Sequence, residues 1–182
     1  MMHVSDLHIN IARLREGGFD LQLHLDEDWF ARWQEEDPAL EFSGPREIKA
    51  SVHLERHGFD ILVRGHLEGS VQVSCSRCLT WFSHPVEADF DLLLAPSPEP
   101  VGKEEEELSK ADLDVDFYSG ETVNLENILR EQILLTLPLK PLCAEACRGI
   151  CSRCGADLNQ ETCQCAAEGS YSPFAVLKKI KV

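Results

Sequence analysis

A chain of 182 residues with 43% apolar content can bury one ordinary core, or a core with a small satellite. It has no apolar run of roughly 18 residues, so no transmembrane helix is expected, and its start lacks the basic and apolar regions of a secretory signal. The net charge of −15 is uneven: residues 1–101 carry −10, residues 102–131 −7 and residues 132–182 +2, so only the last part has a charge suited to phosphate backbones.

The first 95 residues read mainly as β structure. Leu7 to Ile11 and Phe19 to Leu25 alternate apolar and polar side chains, as strands with one buried face do, and Gly17-Gly18 forms a turn between them. Trp29, Phe30 and Trp33 sit at helical spacing after Asp26, a good N-cap, which predicts a short helix over 27–33. Alternation returns at Ile48, Ala50, Val52 and Leu54. His57-Gly58 then turns the chain into a strand over 59–63, and after Glu68-Gly69-Ser70 a further strand over 71–73 leads into Cys75. Two more stretches, 81–82 and 86–92, lead away from Cys78.

Residues 96–120 have the proline and glutamate content of an acidic, flexible, solvated loop. A main helix follows over about 123–137, capped by Thr122 or Asn124 and stopped by Pro138, with Leu125, Ile128, Leu129 and Ile133 on one stripe. The expected division is a β-rich body (1–95), the loop (96–120), the helix packed on the body (121–142) and a cysteine-rich segment with its tail (143–182). The fold class is α+β: a mainly antiparallel β body, one main helix and a C-terminal zinc-binding segment.

Chemistry concentrates in eight cysteines. Six lie within 23 residues, at Cys143, Cys147, Cys151, Cys154, Cys163 and Cys165, and the other two form Cys75-Ser-Arg-Cys78. Eight thiols match two closed tetrahedral Zn²⁺ sites. A CxxC at a strand–turn–strand junction aims two sulfurs at one point, and Gly155 follows the second knuckle where a left-handed backbone is often needed. Cys151, Cys154, Cys163 and Cys165 can close one site, which leaves Cys75, Cys78, Cys143 and Cys147 for the other. Alternatively, the two Cys-Ser-Arg-Cys knuckles share one ion. The local grouping is favoured because a short closure costs less chain entropy than two long ones. Disulfides need an oxidising compartment, and the spacing matches neither ferredoxin pattern nor a thioredoxin-type redox motif. His84 can replace a cysteine ligand, but a surface or loop role suits it better. No nucleophile–base set, phosphate loop or paired carboxylates emerge, so no enzyme is expected.

The order of these residues resembles the YceD family, the large ribosomal RNA subunit accumulation proteins. The resemblance rests on Cys75-Ser-Arg-Cys78 after a strand, Glu131–Pro138 at the helix end, and Cys143, Cys147-Arg-Gly-Ile-Cys151-Ser-Arg-Cys154-Gly155, Leu158-Asn159, Cys163 and Cys165. Pro173–Leu177 also fits. It implies a cytoplasmic bacterial protein needed for 23S rRNA accumulation and large-subunit biogenesis. Some relatives keep the first CxxC but lack the later run, which makes the second site an accessory staple.

The expected partners are a basic ribosomal protein or pre-50S particle, with 23S rRNA as a further candidate, and neither a membrane nor a small-molecule substrate. Candidate RNA contacts are Lys140, Arg148, Arg153, Lys178, Lys179 and Lys181, the cations of the only positive part. The competing readings are a redox-regulated zinc chaperone and a zinc-handling protein for ribosomal partners.

Overall fold

Period-two alternation builds most of the molecule. The computed structural model describes residues 7–14, 17–38, 40, 47–97 and 115–165. The elements are β1 (His8–Asn10), a 3₁₀ turn (Ile11–Arg13), β2 (Phe19–Leu25), α1 (Glu27–Glu36), β3 (Glu47–His57), β4 (Asp60–Ser74), β5 (Trp81–Pro96), β6 (Val115–Tyr118), β7 (Thr122–Asn124) and α2 (Leu125–Thr136). Strands β2 to β6 form one sheet in sequence order, and β1 pairs with β7 in a separate two-stranded ribbon.

The register keeps the buried apolar set on one face. Leu23 lies opposite Ala50, and Ala50 opposite Leu67; Leu54 lies opposite Val63 and Val63 opposite Leu92. On the other face, cross-strand pairs meet in solvent: His53–Asp20 and His66–Asp89 at 2.8 Å, Arg64–Asp91 at 3.0 Å. A sheet with one face wet and the other covered is the outcome that clean alternation predicts.

Both helices contribute to the core on the apolar side. Asp26 accepts from the Trp29 N–H and caps α1, which buries Trp29, Phe30 and Trp33. Asn124, not Thr122, caps α2 through the Asn127 N–H, and the stripe Leu125, Ile128, Leu129 and Ile133 is buried. Arg130, off that stripe, fastens the helices together: its guanidinium lies 5.7 and 5.6 Å from the rings of Trp29 and Trp33 and bridges Glu36 and Glu126.

Three expectations are corrected. The loop expected over 96–120 is shorter, because Val115–Tyr118 pairs parallel to Leu93–Pro96, the one parallel pairing in the sheet among the described residues. Residues 98–114 of that stretch lie outside the described residues. The break expected at Glu68-Gly69-Ser70 is absent: β4 runs through it, and Gly69 lets the backbone of β3 approach so closely that a Cβ there would lie 2.1 Å from the Glu47 carbonyl oxygen. β5 is likewise continuous through Pro85. Among the described residues β6 pairs only with its last four positions, so Pro85 stands on a sheet edge, where no N–H is needed. The result is a long β4–β5 hairpin with Cys75 and Cys78 at its tip.

Candidate metal centres

The two Cys-Ser-Arg-Cys segments adopt the same turn. Cys75 N–H donates to Thr80 O at 3.0 Å, and Leu79 N–H to Cys75 O at 2.9 Å; Cys151 N–H donates to Ala156 O at 2.8 Å, and Gly155 N–H to Cys151 O at 2.9 Å. In each turn the arginine N–H points at the first sulfur, Arg77 to Cys75 Sγ at 3.5 Å and Arg153 to Cys151 Sγ at 3.4 Å. The residue after each second cysteine has a left-handed backbone, with φ +73° at Gly155 and +60° at Leu79. Glycine adopts that conformation freely; Leu79 does so against its Cβ.

Each knuckle meets two further cysteines. The sulfurs of Cys75, Cys78, Cys143 and Cys147 all lie within 4.8 Å of one another, as do those of Cys151, Cys154, Cys163 and Cys165. This is the local grouping; the two Cys-Ser-Arg-Cys knuckles do not converge on one point. Individual separations are 3.8 Å for Cys75–Cys147, 3.6 Å for Cys78–Cys143, 3.5 Å for Cys154–Cys163 and 3.3 Å for Cys163–Cys151. An ion about 2.3 Å from four sulfurs needs tetrahedral edges of about 3.8 Å. Both groups therefore fit a four-thiolate ion. His84 belongs to neither, its Nε2 lying 3.4 Å from the Thr136 carbonyl oxygen.

The surroundings differ. In the inner group Cys75, Cys78 and Cys147 are buried with Phe82 and Leu142 around them and Cys143 is exposed, whereas in the outer group Cys154 and Cys165 are exposed and Cys151 and Cys163 half-buried. Burial pushes the Cys75 thiol up, but the backbone N–H groups of Cys143, Cys78 and Arg77 outweigh it and hold the pKa at about 6. The N–H groups of Cys154 and Arg153 bring Cys151 to about 6 as well. The opposite holds for Cys143, pushed up to about 12 first by its hydrogen bond with the Cys78 side chain, and for Cys165, pushed up to about 12 first by Cys163. At neutral pH each metal-free group thus pairs a ready thiolate with a protonated thiol, whose proton metal uptake expels.

Two residues given no role by spacing hold the cysteine-rich segment, Arg77 from the hairpin tip and Asn159 from within. Arg77 Nη1 donates to the carbonyls of Glu145 at 3.1 Å and Cys147 at 2.9 Å, while its own carbonyl accepts from Ile150 N–H at 3.1 Å. Gly149, with φ +75°, allows this approach, since a Cβ there would lie 2.9 Å from the Arg77 oxygen. Asn159 Nδ2 reaches Cys147 Sγ at 3.4 Å. Both residues stand in the stretches that carry the YceD resemblance, Arg77 within Cys75-Ser-Arg-Cys78 and Asn159 after Leu158, but neither spacing nor composition gave them these contacts.

A family whose members are described as large ribosomal RNA subunit accumulation protein YceD matches residues 63–181, a span that takes in both cysteine groups. The chain belongs to the YceD family. A chloroplastic YCED homolog 1 of Arabidopsis thaliana, named a large ribosomal RNA subunit accumulation protein, is 24% identical over 72% of this chain and 49% of its own length. The Zea mays protein of the same name is 25% identical over 65% of this chain and 48% of its own. An uncharacterized protein of Mycobacterium bovis is 29% identical over 86% of this chain and 73% of its own. The chain thus spans about half the length of its chloroplastic relatives. No solved structure matches it significantly.

Of the cations singled out for RNA contact, Lys140, Arg148 and Arg153 are exposed around the two YceD cysteine groups. Lys178, Lys179 and Lys181, like Pro173–Leu177, lie outside the described residues. No helix among the described residues is long and apolar enough to cross a membrane.

Proposed function

We propose that this YceD protein is a non-enzymatic cytoplasmic factor for 23S rRNA accumulation in large-subunit biogenesis, with one structural Zn²⁺ in each four-cysteine group. The observation that carries the reading is the family match across both groups together with their tetrahedral sulfur spacing. Zinc suits four thiolates, and with no open coordination position it would supply folding free energy rather than Lewis-acid chemistry. The chain's own residues then do the holding: Cys75 and Cys78 present the hairpin tip, and Cys143 and Cys147 bring the C-terminal segment onto it.

The immediate partner in this reading is a basic ribosomal protein in a pre-50S particle, attracted by the acidic body. Lys140, Arg148 and Arg153 are the described positions for contact with 23S rRNA. Affinity capture from cells at two salt concentrations tests this. Large-subunit proteins and 23S rRNA should be enriched, with the RNA recovered less at the higher salt; enrichment of neither overturns the reading.

The exposure of Cys154 also supports a second reading, a chaperone switched on when oxidation ejects zinc from the outer group. Under mild peroxide that reading requires zinc release, followed a dye, with suppression of client aggregation. The biogenesis reading expects neither at doses that leave ordinary zinc sites intact.

A further inference from the structure

The loop enclosed by the outer cysteine group reaches into the inner one. Asn159 lies between Cys154 and Cys163, yet its Nδ2 donates to Cys147 Sγ at 3.4 Å. The rest of the residue is pinned. Its Nδ2 also lies 2.7 Å from Asp157 Oδ1, its N–H donates to that same oxygen at 2.9 Å, and its Oδ1 accepts from Arg148 N–H at 2.7 Å. The backbone follows suit: Leu158 N–H donates to Gly149 O at 2.9 Å, and Ile150 bridges Asp157. The outer loop is thus laid along residues 148–150, the link between Cys147 of one group and Cys151 of the other.

We propose that Asn159 is a positioning residue that couples the two metal centres. An ion held by Cys151, Cys154, Cys163 and Cys165 fixes the loop that carries Asn159, and its amide N–H then stabilises Cys147 as a thiolate ligand of the inner ion. Hydrogen bonds to coordinating atoms tune affinity about 10–100-fold. Because the coupling is a free energy between two sites, it acts equally in both directions. Asparagine meets both demands of the position, a donor toward sulfur and an acceptor for Arg148 N–H. Aspartate of the same shape would keep the acceptor and set a carboxylate against the thiolate. The inference rests on both groups holding an ion.

Cadmium NMR of the full chain, with chelator competition, tests it. Wild-type protein should give two resonances, the outer one identified by its loss in Cys163→Ser/Cys165→Ser. Inner-site affinity should fall about 10-fold or more in that variant. Asn159→Asp should give a comparable fall and shift the inner resonance while the outer one stays in place, and combining the changes should add little. Asn159→Ala, which introduces no charge, should show the same pattern with a smaller fall. Two resonances in the wild type, with inner-site affinity unchanged in all three variants, would overturn the coupling and leave the metal reading intact. A wild-type chain that binds no cadmium at either site would overturn the metal reading, and the coupling with it.

Discussion

Leu79 is the most strained residue of the inner knuckle. It takes φ +60° in a turn whose counterpart in the outer knuckle uses Gly155, and its side chain is 61% exposed. An L-residue in that region gives up about 1–2 kcal/mol, and little side-chain burial offsets it here. Leu79→Gly should therefore stabilise the protein by about 1 kcal/mol in chemical denaturation, while Gly155→Leu should destabilise the outer knuckle by a similar amount. A loss of stability in Leu79→Gly would show that the leucine side chain holds the turn. The contrast also shows what a sequence can reveal at this scale. Gly155 announces its backbone conformation because glycine is the usual occupant of such a position, whereas nothing in a leucine does. Arg77 and Asn159 belong to the recognised motifs, yet their contacts were not legible, since a hydrogen bond to a carbonyl or a sulfur across 70 or 12 residues leaves no local pattern.

At the scale of elements, the long β4–β5 hairpin positions the inner knuckle, and glycines inside its strands serve packing. Gly65 stands under the ring of Phe90, and a Cβ there would lie 2.2 Å from Phe90 Cζ. Gly65→Ala should cost about 1–3 kcal/mol by overpacking, and a Phe90→Leu change in the same chain should recover part of that loss, a coupling that a double-mutant cycle measures. Full additivity would place the cost in the strand backbone instead. The alternating strands β2 and β3, the Asp26-capped helix and the apolar stripe of α2 were legible because each repeats a period that burial enforces. The joins were not. Gly69 looked like a turn, although it permits close strand approach, and β6 was hidden in an acidic stretch whose few apolar residues gain their partner only through a parallel pairing distant in sequence. The cysteine groups were legible as sets because a short chain closure favours neighbours; the distances between the sulfurs required the fold.

For the whole molecule, two cores divide the labour. A continuous apolar core joins the sheet to both helices, while Cys75, Cys78 and Cys147 form a separate buried cluster at the hairpin tip with Phe82 and Leu142. If an ion supplies the order of the second cluster, removing it should loosen residues 143–165 and leave the β body folded. Hydrogen exchange after treatment with a strong chelator should show lost protection at Cys147, Ile150 and Leu158, whose N–H groups donate to Ala144, Arg77 and Gly149, with β3 and β4 unchanged. Collapse of protection throughout would mean that the metal holds the body as well. The coupling through Asn159 adds that loss of either ion should weaken the hold on the other.

All of this turns on the two groups being metal centres. Native mass spectrometry of the protein purified under reducing conditions measures that directly. Two four-thiolate centres should raise the mass by two zinc ions, less the protons they displace, and by one ion alone in Cys163→Ser/Cys165→Ser. A metal-free chain, or a single ion lost altogether in that variant, would contradict that expectation.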